Sequence, residues 1–142
     1  MKYFITLLLL SVFVFAEDTN KLKADNKVID HASDDFAKCS AFYYLIIMPV
    51  KGSNESDLKN KYADTGVDAL SNAIKFAKSY KNKEIARKEL ADIVSIYVSS
   101  MMTEIEYNFE KKSILMDKYL LFCNEIMKNP EEHYTKTLKK QV

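Results

Sequence analysis

This chain of 142 residues contains no tryptophan and only two residues each of glycine, proline, cysteine and histidine. So few turn-forming residues argue against an all-β domain and favour helices, whose interiors tolerate glycine and proline poorly. A glycine-rich phosphate loop is absent and no serine stands in a nucleophile-elbow setting. There is also no basic excess: 21 lysines and arginines face 20 aspartates and glutamates. That balance argues against a nucleic-acid partner, which would leave a positive footprint. Nor is there an apolar run of the roughly 20 residues that a membrane-spanning helix needs.

The longest apolar run, Tyr3 to Phe15, is interrupted by Thr6 and Ser11, follows Lys2, and ends at Val14-Phe15-Ala16 before Glu17 and Asp18. This is the layout of an export signal cleaved after Ala16, and the competing reading is an uncleaved anchor. With no cysteine at the cleavage point, a lipoprotein signal is excluded. Cleavage removes Lys2 and leaves equal numbers of acidic and basic side chains on a chain the size of one ordinary domain. The expected organisation is a signal peptide at 1–16, a flexible leader at 17–25, a helical bundle domain at 26–128 and a polar C-terminal tail at 129–142. The expected setting is periplasmic or extracellular, without stable membrane insertion after processing.

Within the domain, a first helix is expected to start between Asn26 and Ser33 and to run to Met48, because Pro49 disfavours helical geometry in the residue before it. Lys51 to Asn54 read as a loop, with Asn54 capping a second helix near Glu55. Leu58, Tyr62, Gly66, Ala69, Ala73, Phe76 and Tyr80 form one helical stripe whose small central residues permit close approach by a neighbour. Asn82 is a plausible cap for a third helix bearing Leu90, Ile93, Val94, Tyr97, Met101 and Ile105. An unbroken helix over residues 83 to 129 would reach about 70 Å, too long for this domain. A turn is therefore expected within Asn108 to Ser113, with Ser113 capping a fourth helix that ends at Asn129-Pro130. Glu131 to Val142 are left either as a short extra helix or as loose tail, with Lys136, Lys139 and Lys140 solvated. The fold class is all-α, an antiparallel bundle of about four helices.

Cys39 and Cys123 fall well inside the first and fourth helices, which are neighbours in such a bundle, so an exported chain can join them. In chain-entropy terms, closing that long loop is worth at most about 4.5 kcal/mol. The alternative is two buried thiols. His31 with Asp34 and Asp35 has a spacing that could be imagined as a metal site, but acidic residues at a helix start are already explained by the helix dipole, so no metal and no cofactor is assigned. No catalytic residues are assigned either: Glu104 and Glu106, like Glu131 and Glu132, do not share a helical face. Asn54-Glu55-Ser56 matches an N-glycosylation acceptor, relevant only in a eukaryotic source.

What stands out is apolar excess. Ala41 to Val50 has no polar face apart from two tyrosine hydroxyls. It reads as a partner or ligand surface, as a central helix contacted on several sides, or as a strand. The candidate surface comprises Phe42, Tyr43, Tyr44, Ile46, Ile47, Tyr97 and Met101.

Around the first cysteine, Lys38-Cys39-Ser40-Ala41-Phe42-Tyr43, with a second cysteine in the last helix, resembles small exported helical proteins of Gram-negative bacteria, most without assigned function. The resemblance implies a periplasmic setting and a disulfide and carries no catalytic residue across. The expected function is non-catalytic binding. The partner is a protein in the cell envelope, of immunity, inhibitor or adaptor type, or a second copy of the chain. The alternative is a carrier of a small apolar molecule in a cavity lined by residues such as Phe42, Ile46, Tyr97, Met101 and Phe122.

Overall fold

A computed structural model describes residues 31–48, 56–77 and 82–140. The expected signal peptide, leader and start of the first helix lie outside the described residues, as do Pro49, Val50, the loop with Asn54, Tyr80 and Lys81. Within the described residues the chain is all helical: α1 over 31–46, α2 Ser56–Ala77, α3 Lys83–Glu104, a 3-10 turn Phe109–Lys111, α4 Ser113–Lys128 and α5 Pro130–Lys139.

The core forms around α1. Among residues 31–48 only His31 and Tyr44 are exposed, and Phe36, Ala37, Cys39, Ala41, Phe42, Tyr43 and Ile46 are fully buried. Of the three readings of the apolar stretch, the described part is thus a central helix. Removing a Phe-, Leu- or Ile-sized side chain from water contributes about 1.5–3 kcal/mol, so α1 supplies much of the apolar burial. All four other helices touch it. Ser33 and Ser40 donate to the carbonyls of Ala73 (3.0 Å) and Gly66 (3.2 Å) on α2. Tyr97 of α3 donates to Asp34 (2.7 Å), Tyr43 donates to Asn124 of α4 (2.8 Å), and His133 of α5 lies 3.0 Å from Asp35. The sulfurs of Cys39 and Cys123 sit at disulfide distance, 2.04 Å, with their Cα atoms 5.4 Å apart.

On α2 the stripe buries Tyr62, Ala69, Ala73 and Phe76 against α1. Gly66 lies where a side chain is crowded: a Cβ there would meet the Cβ of Tyr43 at 3.1 Å. Asn82 starts α3 as anticipated, its side chain accepting from the amide of Glu84 (2.9 Å).

The break between α3 and α4 begins earlier than the residues 108–113 proposed for it. Glu104 is the last residue of α3; the amides of Glu106 and Tyr107 fold back onto the carbonyls of Thr103 and Met102, a Schellman closure. Such a closure usually places glycine in the left-handed region; here Glu106 (φ 54°) and Tyr107 (φ 56°) occupy it. Asn108 rather than Ser113 supplies the side-chain cap, accepting from Glu110 (3.0 Å), and Ser113 is already the first residue of α4. The reason lies in Lys112, whose backbone is already helical and whose side chain turns inward.

Beyond α4, the segment after Pro130 takes the helical of its two alternatives. Asn129 ends α4 and also begins α5, its amide donating to the carboxylate of Glu132 (2.9 Å), with Pro130 at the first helical position and Glu131 and Glu132 in the first turn. Tyr134 stacks on Phe76 (centroids 4.8 Å apart), which itself stacks on Phe36 (5.3 Å), so α5 covers an aromatic column instead of trailing into solvent.

Candidate functional site

The residues expected to form a partner or ligand surface separate into three groups. Phe42, Tyr43, Ile46 and Met101 are buried to within 1%, inside the core and not on the surface of the chain. The three on α1 face inward because that helix is contacted on several sides at once, and Met101 lies on the α3 stripe that packs into the core. Ile47 and Tyr97 are half-buried, and Tyr44 alone stands out, 51% exposed.

Among the described residues no buried side-chain nitrogen or oxygen lacks a hydrogen-bond partner. Tyr97 is held protonated well above the ordinary tyrosine value, first by burial, then by its hydrogen bond to Asp34 and the charges of Asp34 and Asp35. The phenol of Tyr43 is pushed up to about 12 by burial and by neighbouring Tyr62. His133 and Asp35 form an acid–imidazole pair, but rings of Phe36 and Phe122 pack edge-on against the imidazole, so the pair ties α5 to α1. Asp34 and Asp35 are thereby engaged by Tyr97, His133 and Lys38. Among the described residues no group of three or more His, Cys, Asp or Glu side chains is arranged to hold a metal ion.

Near the α3–α4 break, Glu104 accepts from Lys118 (2.9 Å) and Tyr119 (2.7 Å). Burial pushes this carboxyl up, yet the two hydrogen bonds and the ammonium outweigh it and hold it below the usual range. The Tyr119 phenol is raised by burial and by its bond to Glu104. The arrangement joins α3 to α4.

Lys112 is the least anticipated residue. It is buried, and its ammonium donates to the carbonyls of Ile46 (3.0 Å) and Met48 (3.1 Å), at the C-terminal end of α1 where the helix dipole favours a cation. Nothing in Lys111-Lys112 distinguishes this lysine from a solvated one; only the Ser113 boundary, where a side chain is often drawn into a helix end, points at the neighbourhood.

What the core leaves outside is a set of large apolar side chains. Ile85 and Ile96 share one face of α3, Ile114 and Leu121 share one face of α4, and Leu121 is 72% exposed. On α2, Val67 (67% exposed), Leu70 and Ile74 line a cleft of about 530 Å³ with Ser71, Lys75 and Arg87. A smaller cleft of about 280 Å³ runs along α4 and α5 between Phe122, Ile126, Asn129, His133 and charged neighbours. Of the side chains expected around a carried ligand, Phe122 lines the smaller cleft, and Phe42, Ile46, Tyr97 and Met101 line neither. Among the described residues no helix is long and apolar enough to cross a membrane.

Compared with known proteins, the chain matches no family model, no curated protein and no solved structure.

Proposed function

We propose that this is an exported, non-catalytic binding protein that engages a protein partner in the cell envelope, of immunity, inhibitor or adaptor type. In this reading residues 1–16 are a signal peptide removed after Ala16, and Cys39 and Cys123 are oxidised in the periplasm or outside the cell. An antiparallel bundle is part of this reading, and it is supported by contacts 33 with 73 and 40 with 66, which run α1 against α2 in opposite senses, and by contacts 39 with 123 and 46 with 112 between α1 and α4.

The observation that carries the reading is the outward placement of Ile85, Ile96, Ile114 and Leu121 on α3 and α4. These positions are not needed to complete the core, and burying each against a partner contributes about 1.5–3 kcal/mol before the cost of association. The polar groups described above are engaged with one another, and that supports binding over catalysis.

The test is photo-crosslinking in the native compartment from a probe amino acid placed singly at Ile96 and Leu121, with Lys61 on α2 and Thr135 on α5 as exposed polar controls away from that surface. A discrete adduct with another protein from the apolar positions and not from the controls supports the proposal. Equal labelling from all four positions, or none from Ile96 and Leu121, defeats it. Intact mass of the exported fraction should begin at Glu17; recovery of Met1 with membranes would remove the export part of the reading.

A further inference from the structure

We infer that α2 is a self-association surface, on which a second copy of this chain docks its own α2 in the opposite direction about a two-fold axis near Ser71. The inference rests on the reading of the protein as a binder through exposed apolar side chains, but it concerns a different face and a different partner from the α3–α4 surface.

Val67, Leu70, Ser71 and Ile74 follow one another at helical spacings of three, one and three, so they form a single stripe, separate from the stripe that packs on α1. Val67 and Leu70 are exposed and Ile74 is half-buried, and together they give the cleft an apolar floor. Its charged lining is of one sign: Lys75 and Arg87. An occupant that matches this cleft is therefore an apolar helical ridge flanked by acids.

The same helix supplies that ridge. Exposed Asp64 and Asp68 lie on the N-terminal side of Ser71 in α2, on the flank that Lys75 occupies beyond it, since steps of four and seven residues return to one side of a helix. Turning a second copy about an axis near Ser71 brings Val67 of each chain across from Ile74 of the other. It also brings Asp68 across from Lys75, twice, because a two-fold contact repeats every pairing. Lys75 already reaches Glu131 of its own α5 through an exposed ion pair, so its side chain is held near that flank. A patch acidic at one end, basic at the other and apolar between is complementary to itself only in the antiparallel sense.

Analytical ultracentrifugation of the full chain over a concentration series tests this. The wild type should sediment as a dimer that dissociates on dilution. Leu70→Asp, a change at an exposed position, should weaken dimerisation by about tenfold or more while leaving the helical circular dichroism intact. Asp68→Lys and Lys75→Asp should each weaken it by roughly tenfold through like-charge contacts, and the double exchange should restore it. Thermal melting of each variant separates loss of the Lys75–Glu131 pair from loss of association. A wild type monomeric throughout the series, a dimer indifferent to Leu70→Asp, or a double exchange that fails to restore association overturns the inference. The crosslinks from Ile96 and Leu121 are read independently, so either proposal can fail while the other stands.

Discussion

The phenol of Tyr43 on α1 donates a 2.8 Å hydrogen bond to Oδ1 of Asn124 on α4, one residue from the cysteine pair that joins the same two helices. Because burial raises this phenol to about 12, its contribution to stability is fully present below the ordinary value of 10.0 and is lost as pH rises from there through about 12. Alkaline titration followed by tyrosinate absorbance should show a late step that disappears in Tyr43→Phe. That variant should also unfold about 1 kcal/mol more easily near neutral pH, since Asn124 loses its donor. An unchanged titration curve would show that another residue accounts for the late step.

Oxidation of Cys39 and Cys123 is open to direct chemistry. Peptide mapping without reductant should recover the two cysteine peptides joined, and the native protein should resist alkylation. Replacing both by alanine should lower stability by about 2–5 kcal/mol in denaturant unfolding. Rapid labelling of both thiols in unreduced native protein would refute the bond.

Gly66 supplies a sharper test of packing than any large residue. At an open helical site, glycine to alanine stabilises by about 1 kcal/mol. At Gly66 the new methyl group meets Tyr43 Cβ at 3.1 Å, an atom fixed to the backbone of α1, so the gain should be offset in Gly66→Ala and Gly66→Leu should cost about 1–3 kcal/mol. Urea midpoints for the two variants decide it, and a full alanine gain would mean that α1 and α2 are less closely apposed.

Lys112→Met should destabilise by about 1–3 kcal/mol although it replaces a charge with an apolar side chain in the interior, because the carbonyls of Ile46 and Met48 lose their donor. Hydrogen exchange should localise the loosening to the C-terminal turn of α1. Stability equal to or above wild type would assign those carbonyls to other donors.

Periodicity made much of this fold readable. The stripes on α2 and α3 and the cap at Asn82 follow from spacing alone, because an amphipathic helix writes its buried face into every third or fourth residue. α1 was ambiguous for the same reason: with both faces apolar, Ala41 to Met48 has no period to separate a central helix from an exposed one. Asn129-Pro130 taken as a stop leaves α5 open between helix and tail. The same Asn-Pro-Glu-Glu is also a start signal, with a cap, a proline at the first turn and two acids following. Glu106 and Tyr107 were not legible, since no residue type there marks a left-handed turn. Apolar density along the sequence does not separate a binding surface from the core, since the core consumes the densest stretch, Ala41 to Ile46.

The central position of α1 also has a temporal side. It is the first described helix to leave the ribosome, yet its bonds reach to residues 73, 97, 123, 124 and 133, so its burial depends on chain that is synthesised last. Contacts of such long sequence separation close slowly and late. Until α4 and α5 have emerged, Phe42 lacks Tyr119, Ile46 lacks Lys112 and Phe36 lacks His133, and the chain remains without its native core for most of its synthesis.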